Sequence, residues 1–203
     1  MTRFTIPAPG IHREQIEIKR SRFIGSIAHT PQADDARAFI KQMKDQYADA
    51  THNCWAYVAG PPGDTRMVGL SDDGEPHGTA GKPMLTVLLH SGVGELTCVV
   101  TRYYGGTKLG TGGLVKAYSQ AVEAVLKRMP RSQYVPSVQV ETGIDYQIQT
   151  LFRKRVEEYG IAIEEEVFSD RVQYLLTVPE DQYSAFEKAL LDLSNGRSVL
   201  SRL

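Results

Sequence analysis

Two short stretches concentrate the residue types that do chemistry. The first, Arg102-Tyr103-Tyr104-Gly105-Gly106-Thr107-Lys108-Leu109-Gly110-Thr111-Gly112-Gly113, sets five glycines among two cations. Glycine lets a backbone approach a ligand closely and adopt positive φ. The unpaired N–H groups of a helix's first turn attract anions. Here Thr111 is placed to cap such a helix, and Arg102 and Lys108 supply positive charge, so the chemistry on offer is anion or phosphate binding. The competing reading is a tight strand-to-helix turn that needs glycine for packing. Two named phosphate motifs fail. A Walker A loop read from Gly105 and Gly110 meets Thr111 where lysine is required. A dinucleotide fingerprint read from Gly110 and Gly112 meets Val115 where a small residue is needed.

The second stretch, Ser71-Asp72-Asp73-Gly74-Glu75-Pro76-His77-Gly78-Thr79-Ala80-Gly81-Lys82-Pro83, places three carboxylates within four positions. Asp72, Asp73 and Glu75 suit a divalent cation, acid and base work, or the anchoring of an arginine from elsewhere in the chain. The loop is too short for an EF-hand, and no metal cage is visible in the spacing. Thr79–Lys82 is placed to begin a second helix and offer further N–H donors. His77 stands among turn formers and reads as an exposed loop histidine.

Elsewhere the candidates are thinner. His52 and Cys54 alternate on a strand and share a face, but no CxxC or HxxxH supplies the other ligands of a zinc site. No third residue completes a Cys–His nucleophile, and there is no GxSxG elbow. Tyr103 and Tyr104 point to opposite faces, so one packs inward and the other is free to stack on a base or ring.

The elements that must position these residues are set by periodicity. Glu14–Lys19 and Arg22–His29 have strand period, and Pro31 opens a helix with Ala36, Phe39, Ile40, Met43 and Tyr47 on one stripe. His52–Ala59 and Met67–Leu70 are strands, Lys82–His90 a helix, and Glu95–Tyr104 a strand rich in β-formers. Leu114, Tyr118, Ala121, Val122, Val125, Leu126 and Met129 form one face of a helix from about Gly113. Pro130 ends it, and Arg131–Pro136 reads as a linker. Beyond it, strand, helix, strand, strand, helix, strand is the split βαβ, ferredoxin-like order. The chain is therefore expected to be α/β (α+β) with domains 1–130 and 131–203.

Composition sets the remaining bounds. No stretch approaches the ~20 apolar residues of a membrane span, and the N-terminus lacks the apolar run of a secretory signal. The expectation is a cytoplasmic protein without membrane attachment. Its two cysteines, Cys54 and Cys98, fall in strands and give no disulfide framework. Residues 1–130 hold 15 Lys/Arg against 12 Asp/Glu, and residues 131–203 hold 8 against 12. An anionic partner would meet the first part.

The motifs together carry a resemblance. Ser21-Arg22-Phe23-Ile24, His52-Asn53-Cys54, Ser71–Pro76, Gly78–Pro83, and the run from Met84-Leu85 through Val99-Val100 and Arg102–Gly106 to Leu109-Gly110 resemble the signature of the YigZ/IMPACT family over essentially the whole chain. The resemblance implies an N-terminal ribosomal protein S5 domain 2-like fold and a C-terminal domain similar to the last domain of elongation factor G. It establishes no catalytic residues. Eukaryotic members are linked to control of translation initiation through a stress kinase. The RWD domain that serves that role is not among these residues, so that mechanism is not carried over. His77 departs from the Ala or Ser of many members, which argues against a catalytic role for it.

The expected function is a translation-associated binding protein that contacts RNA or a ribosome-associated factor. Its surface would comprise Arg102, Tyr104, Gly105, Gly106, Lys108, Gly110, Thr111, Gly112, Gly113 and Lys82, with Asp72, Asp73 and Glu75 as an acidic loop. No cofactor or bound metal is expected. The alternatives are an enzyme acting on a phosphorylated or nucleotide-like small molecule, and a pure protein-interaction module.

Overall fold

The computed structural model describes residues 3–203 and has a mixed α/β fold. In chain order the elements are β1 (Phe4–Pro7), β2 (Ile11–Ile18), β3 (Ser21–His29), α1 (Ala33–Gln46), β4 (His52–Val58), β5 (Val68–Ser71), α2 (Gly81–Leu89), β6 (Leu96–Tyr103), α3 (Thr111–Arg128), β7 (Arg131–Tyr134), β8 (Ser137–Ile144), α4 (Gln149–Glu158) after one 3₁₀ turn, β9 (Ala162–Phe168), β10 (Val172–Pro179), α5 (Tyr183–Ser194) and β11 (Ser201–Arg202). They fall into two compact units, Phe4–Tyr134 and Val135–Leu203, the latter joined by Arg3. Among the described residues no helix is long and apolar enough to cross a membrane.

In the first unit a five-stranded antiparallel sheet runs in the order β2-β3-β6-β4-β5. Alternation along each strand sends residues to opposite faces. Phe23, Ile27, Cys54, Ala56, Cys98 and Val100 pack under α2 and α3. Val99, Trp55 and Tyr57 meet Phe39, Ile40 and Met43 of α1 on the other face. Covered on both sides, β6 is buried almost end to end, which is why its sequence is a continuous run of β-formers rather than an alternation.

The segment Arg131–Pro136 is not simply a linker. Its first four residues form β7, which pairs antiparallel with β1, Phe4 opposite Tyr134 and Pro7 opposite Arg131. Phe4 and Tyr134 also bring their rings together, 4.7 Å between centroids. Phe4–Pro7 is therefore a paired strand, and residues 131–134 belong with the first unit.

The second unit has strand order β11-β8-β10-β9, antiparallel throughout. With its element order this is the ferredoxin-like arrangement. Phe152 and Val156 of α4 and Phe186 and Leu190 of α5 cover one face of the sheet through Val140, Ile144, Tyr174 and Leu176.

Candidate functional site

Both glycine-rich stretches meet at one end of the first unit, where β6 finishes, β4 begins and α2 and α3 start. The loop of three carboxylates is fully engaged there. Asp72 accepts from the backbone N–H groups of Gly78 (2.7 Å), Ala80 (3.0 Å) and Gly81 (2.8 Å), so it fills the N-terminus of α2. Burial would raise its carboxyl, but these three donors together outweigh that and hold it below the ordinary aspartate range. Asp73 accepts from Lys44 Nζ at 2.5 Å and from the Asn53 N–H at 2.7 Å, tying the loop to α1 and to the start of β4. Asn53 in turn donates to the Tyr47 carbonyl and accepts from the Thr101 hydroxyl.

Glu75 holds an arginine from elsewhere in the chain. Its Oε1 accepts from Arg102 Nη1 at 2.6 Å and from the Tyr118 hydroxyl at 2.8 Å. The Arg102 guanidinium lies 5.5 Å from the ring centroids of both Phe23 and Tyr104. Cys54 completes the cluster: its thiol lies 2.9 Å from the Asp72 carbonyl oxygen and 3.3 Å from the Tyr118 hydroxyl. Burial is the main influence on it and pushes the thiol up to about 12, so it stays protonated at neutral pH. Burial likewise raises the Tyr118 phenol. His52 Nδ1 donates to the Asp73 carbonyl at 2.8 Å.

This geometry corrects two expectations. Arg102, expected to meet phosphate, is 6% exposed and committed to Glu75. Alternation along β6 predicts a side for it but not the glutamate 27 residues earlier that waits there. Thr111, expected to cap α3, is instead its first residue: the helix begins two positions before Gly113, with Gly110 at the N-cap and no side chain capping it. Among the described residues no group of three or more His, Cys, Asp and Glu side chains is arranged to hold a metal ion.

The remaining expected residues stand at the surface of the same end. Lys82, Tyr104, Gly106, Lys108, Gly110, Thr111 and Gly112 are exposed, with Gly105 and Gly113 partly so. His77 is fully exposed on its loop. Gly105 has a packing reason: a Cβ there would come within 2.1 Å of the Arg20 backbone, and its N–H donates to the Ser21 hydroxyl. Gly112 has none, because nothing lies within 4 Å of where its Cβ would stand. The two helix starts also differ. The first turn of α2 is filled by Asp72, whereas no group of the described chain accepts from the N–H groups of Thr111, Gly112 and Gly113.

Arg20 is the surface residue that sequence reasoning missed. The β2–β3 turn, in which Lys19 and Arg20 both have positive φ (47° and 65°), carries it to the glycine loop, with its guanidinium 3.5 Å from the Thr107 hydroxyl. The Lys19-Arg20 pair between two strand-period segments marks a turn, but nothing local says which loop it will meet.

Comparison with known proteins agrees in both units. The Impact N-terminal domain matches residues 19–126, and a domain of unknown function, DUF1949, matches residues 142–197. An "IMPACT family member" of Haemophilus influenzae is 41% identical over all of this chain and 98% of its own length. The "IMPACT family member YigZ" of Escherichia coli is 42% identical over 89% of this chain and 88% of its own. A solved structure titled "Crystal structure of an hypothetical protein" shares 39% identity and a TM-score of 0.70, covering 100% of this chain and 98% of that one.

Proposed function

The chain belongs to the IMPACT family, and from that premise we propose that it is a cytoplasmic, translation-associated protein that binds RNA through the open end of α3. The observation that carries this reading is the contrast between the two helix starts. Asp72 occupies one. The other is bare, carries in its first turn a glycine with no packing role, Gly112, and starts three residues after the exposed Lys108. Bare amides at a helix start favour phosphate, and Lys82 and Arg20 add cations at this end of the unit. Exposed Tyr104, 46% accessible, offers a ring for stacking.

The buried cluster supports binding rather than turnover. Asp72, Asp73 and Glu75 serve as hydrogen-bond acceptors inside the fold, and the Cys54 thiol is held protonated. Arg102 acts by fixing the end of β6 from which the loop departs, not by touching phosphate.

The test is the salt dependence of binding to a single-stranded RNA oligonucleotide, read by fluorescence anisotropy. Replacing Arg20, Lys82 and Lys108 with Ala should weaken binding and flatten the log–log salt slope by about 2, at ~0.7 for each phosphate no longer neutralised. An unchanged slope removes the proposal. Nucleotides that compete at micromolar concentration would favour a phosphate-bearing small ligand instead.

A further inference from the structure

The second unit presents a bare sheet face of the opposite character. Helices α4 and α5 cover one face of β8, β10 and β9, and the other is left open. These three strands contain no Lys or Arg, and their charged residues are Glu141, Glu164, Glu165 and Glu166. Glu166 is engaged on the helix side, by Tyr174, Gln149 and Arg153. The other three are exposed, and among the described residues none of their carboxylates has a hydrogen-bond or ion-pair partner.

Strand register arranges two of them around an apolar centre. Leu175 pairs with Glu141 on one side and Glu165 on the other, so one row across three strands reads glutamate, leucine, glutamate. At a strand spacing of ~4.8 Å the two glutamates stand roughly 10 Å apart. Leu175 is half-buried between them. Next along the same face, Val167 is exposed beside Gln173. β9 is also the sheet's outer strand, and its register shifts opposite Leu175 and Leu176, the position of Glu164. Charge and irregularity of this kind keep an edge from pairing with its own copies.

From this face we infer that the second unit docks a cationic segment of another protein, one that carries Lys or Arg on both sides of an apolar side chain. Charge complementarity selects this occupant. RNA would set phosphates against three uncompensated carboxylates, and a second copy would set glutamate against glutamate. A Lys/Arg segment neutralises both flanks while its apolar residue covers Leu175. The inference is independent of the RNA reading, which concerns the first unit.

The full chain, ¹⁵N-labelled, can be titrated with a nine-residue peptide of alternating Lys and Val, a Glu–Val peptide of equal length, and a single-stranded RNA octamer. The Lys–Val peptide should move amide resonances of β8, β9 and β10 and leave those of α2 and α3 in place. Its affinity should fall about tenfold in the Glu141→Gln, Glu164→Gln, Glu165→Gln variant, in which three exposed carboxylates that each attract the peptide weakly are neutralised together. Binding by the parent should also weaken with added NaCl, which serves as the reading if the variant proves to have a lowered Tm. Equal affinity in a stably folded variant, salt-independent binding, or shifts confined to other elements would overturn the inference. So would RNA moving the same resonances, or concentration-dependent shifts of those resonances without peptide, the mark of a second copy.

Discussion

Glu75 Oε1 and Arg102 Nη1 lie 2.6 Å apart with both side chains almost wholly removed from solvent. A buried pair contributes little over an apolar replacement but is costly to halve. Arg102→Ala should therefore lower unfolding free energy by about 3–5 kcal/mol, read by urea denaturation. The double variant Glu75→Met, Arg102→Met should lose less than either single Met replacement, because no charge is left stranded. Single-variant losses that simply add would show that the two do not act as a unit.

Asp72 links stability to acid. Its carboxyl is lower in the folded protein than in the unfolded chain, so its contribution is fully present above the unfolded value of ~3.9 and is lost as pH falls through the folded value. Asp72→Asn should cost stability at pH 7, and its disadvantage should shrink on acidification below about pH 4. A constant gap between the two proteins from neutral pH down to about pH 2 would contradict the capping role.

Cys54 gives the opposite sign. Its thiol is raised to about 12, so the folded form keeps a proton that the unfolded chain releases near pH ~8.5. The contribution is whole below that range and declines as pH rises toward 12. Cys54→Ser should flatten this alkaline decline. A thiol reagent at about pH 8 should modify neither Cys54 nor Cys98 until the protein unfolds, since burial also raises Cys98. Rapid labelling of the native protein would overturn this.

The glycines separate packing from binding. Gly105→Ala drives a methyl into the Arg20 backbone and should cost about 2 kcal/mol or more. Gly112→Ala meets open space in the first turn of α3 and should leave stability equal or up to ~1 kcal/mol higher. The same methyl beside the bare amides should weaken RNA binding. If Gly112→Ala binds RNA as the parent does, the α3 start is not where RNA sits.

How much the sequence disclosed depends on physical range. The strand at 96–103 and the helix after it were legible because apolar residues repeat along them at a local period. The ferredoxin-like order was legible because each of its elements except the two-residue β11 is long enough to show one. The pairing of Glu75 with Arg102 was not, since it depends on which loop the sheet folds beside which strand end. Thr111 has the chemistry of a cap, yet the helix starts at Thr111 itself, ahead of Gly112 and Gly113, and leaves Gly110 in the capping position. β1 and β7 were hidden for two reasons. Each spans four residues, too few to show alternation, and they meet across a sequence separation of 128 between Thr5 and Gln133.

That hidden pairing bears on where the chain can be cut. Because β1 and β7 are hydrogen-bonded to each other, the first unit's entrance and exit lie side by side, sealed by four residue pairs. A gene fragment ending at Pro130 would strip β1 of its partner strand, whereas one ending at Tyr134 would carry the seam intact. The unit is thus a closed clasp, its first and last strands fastened to each other rather than to the sheet that follows.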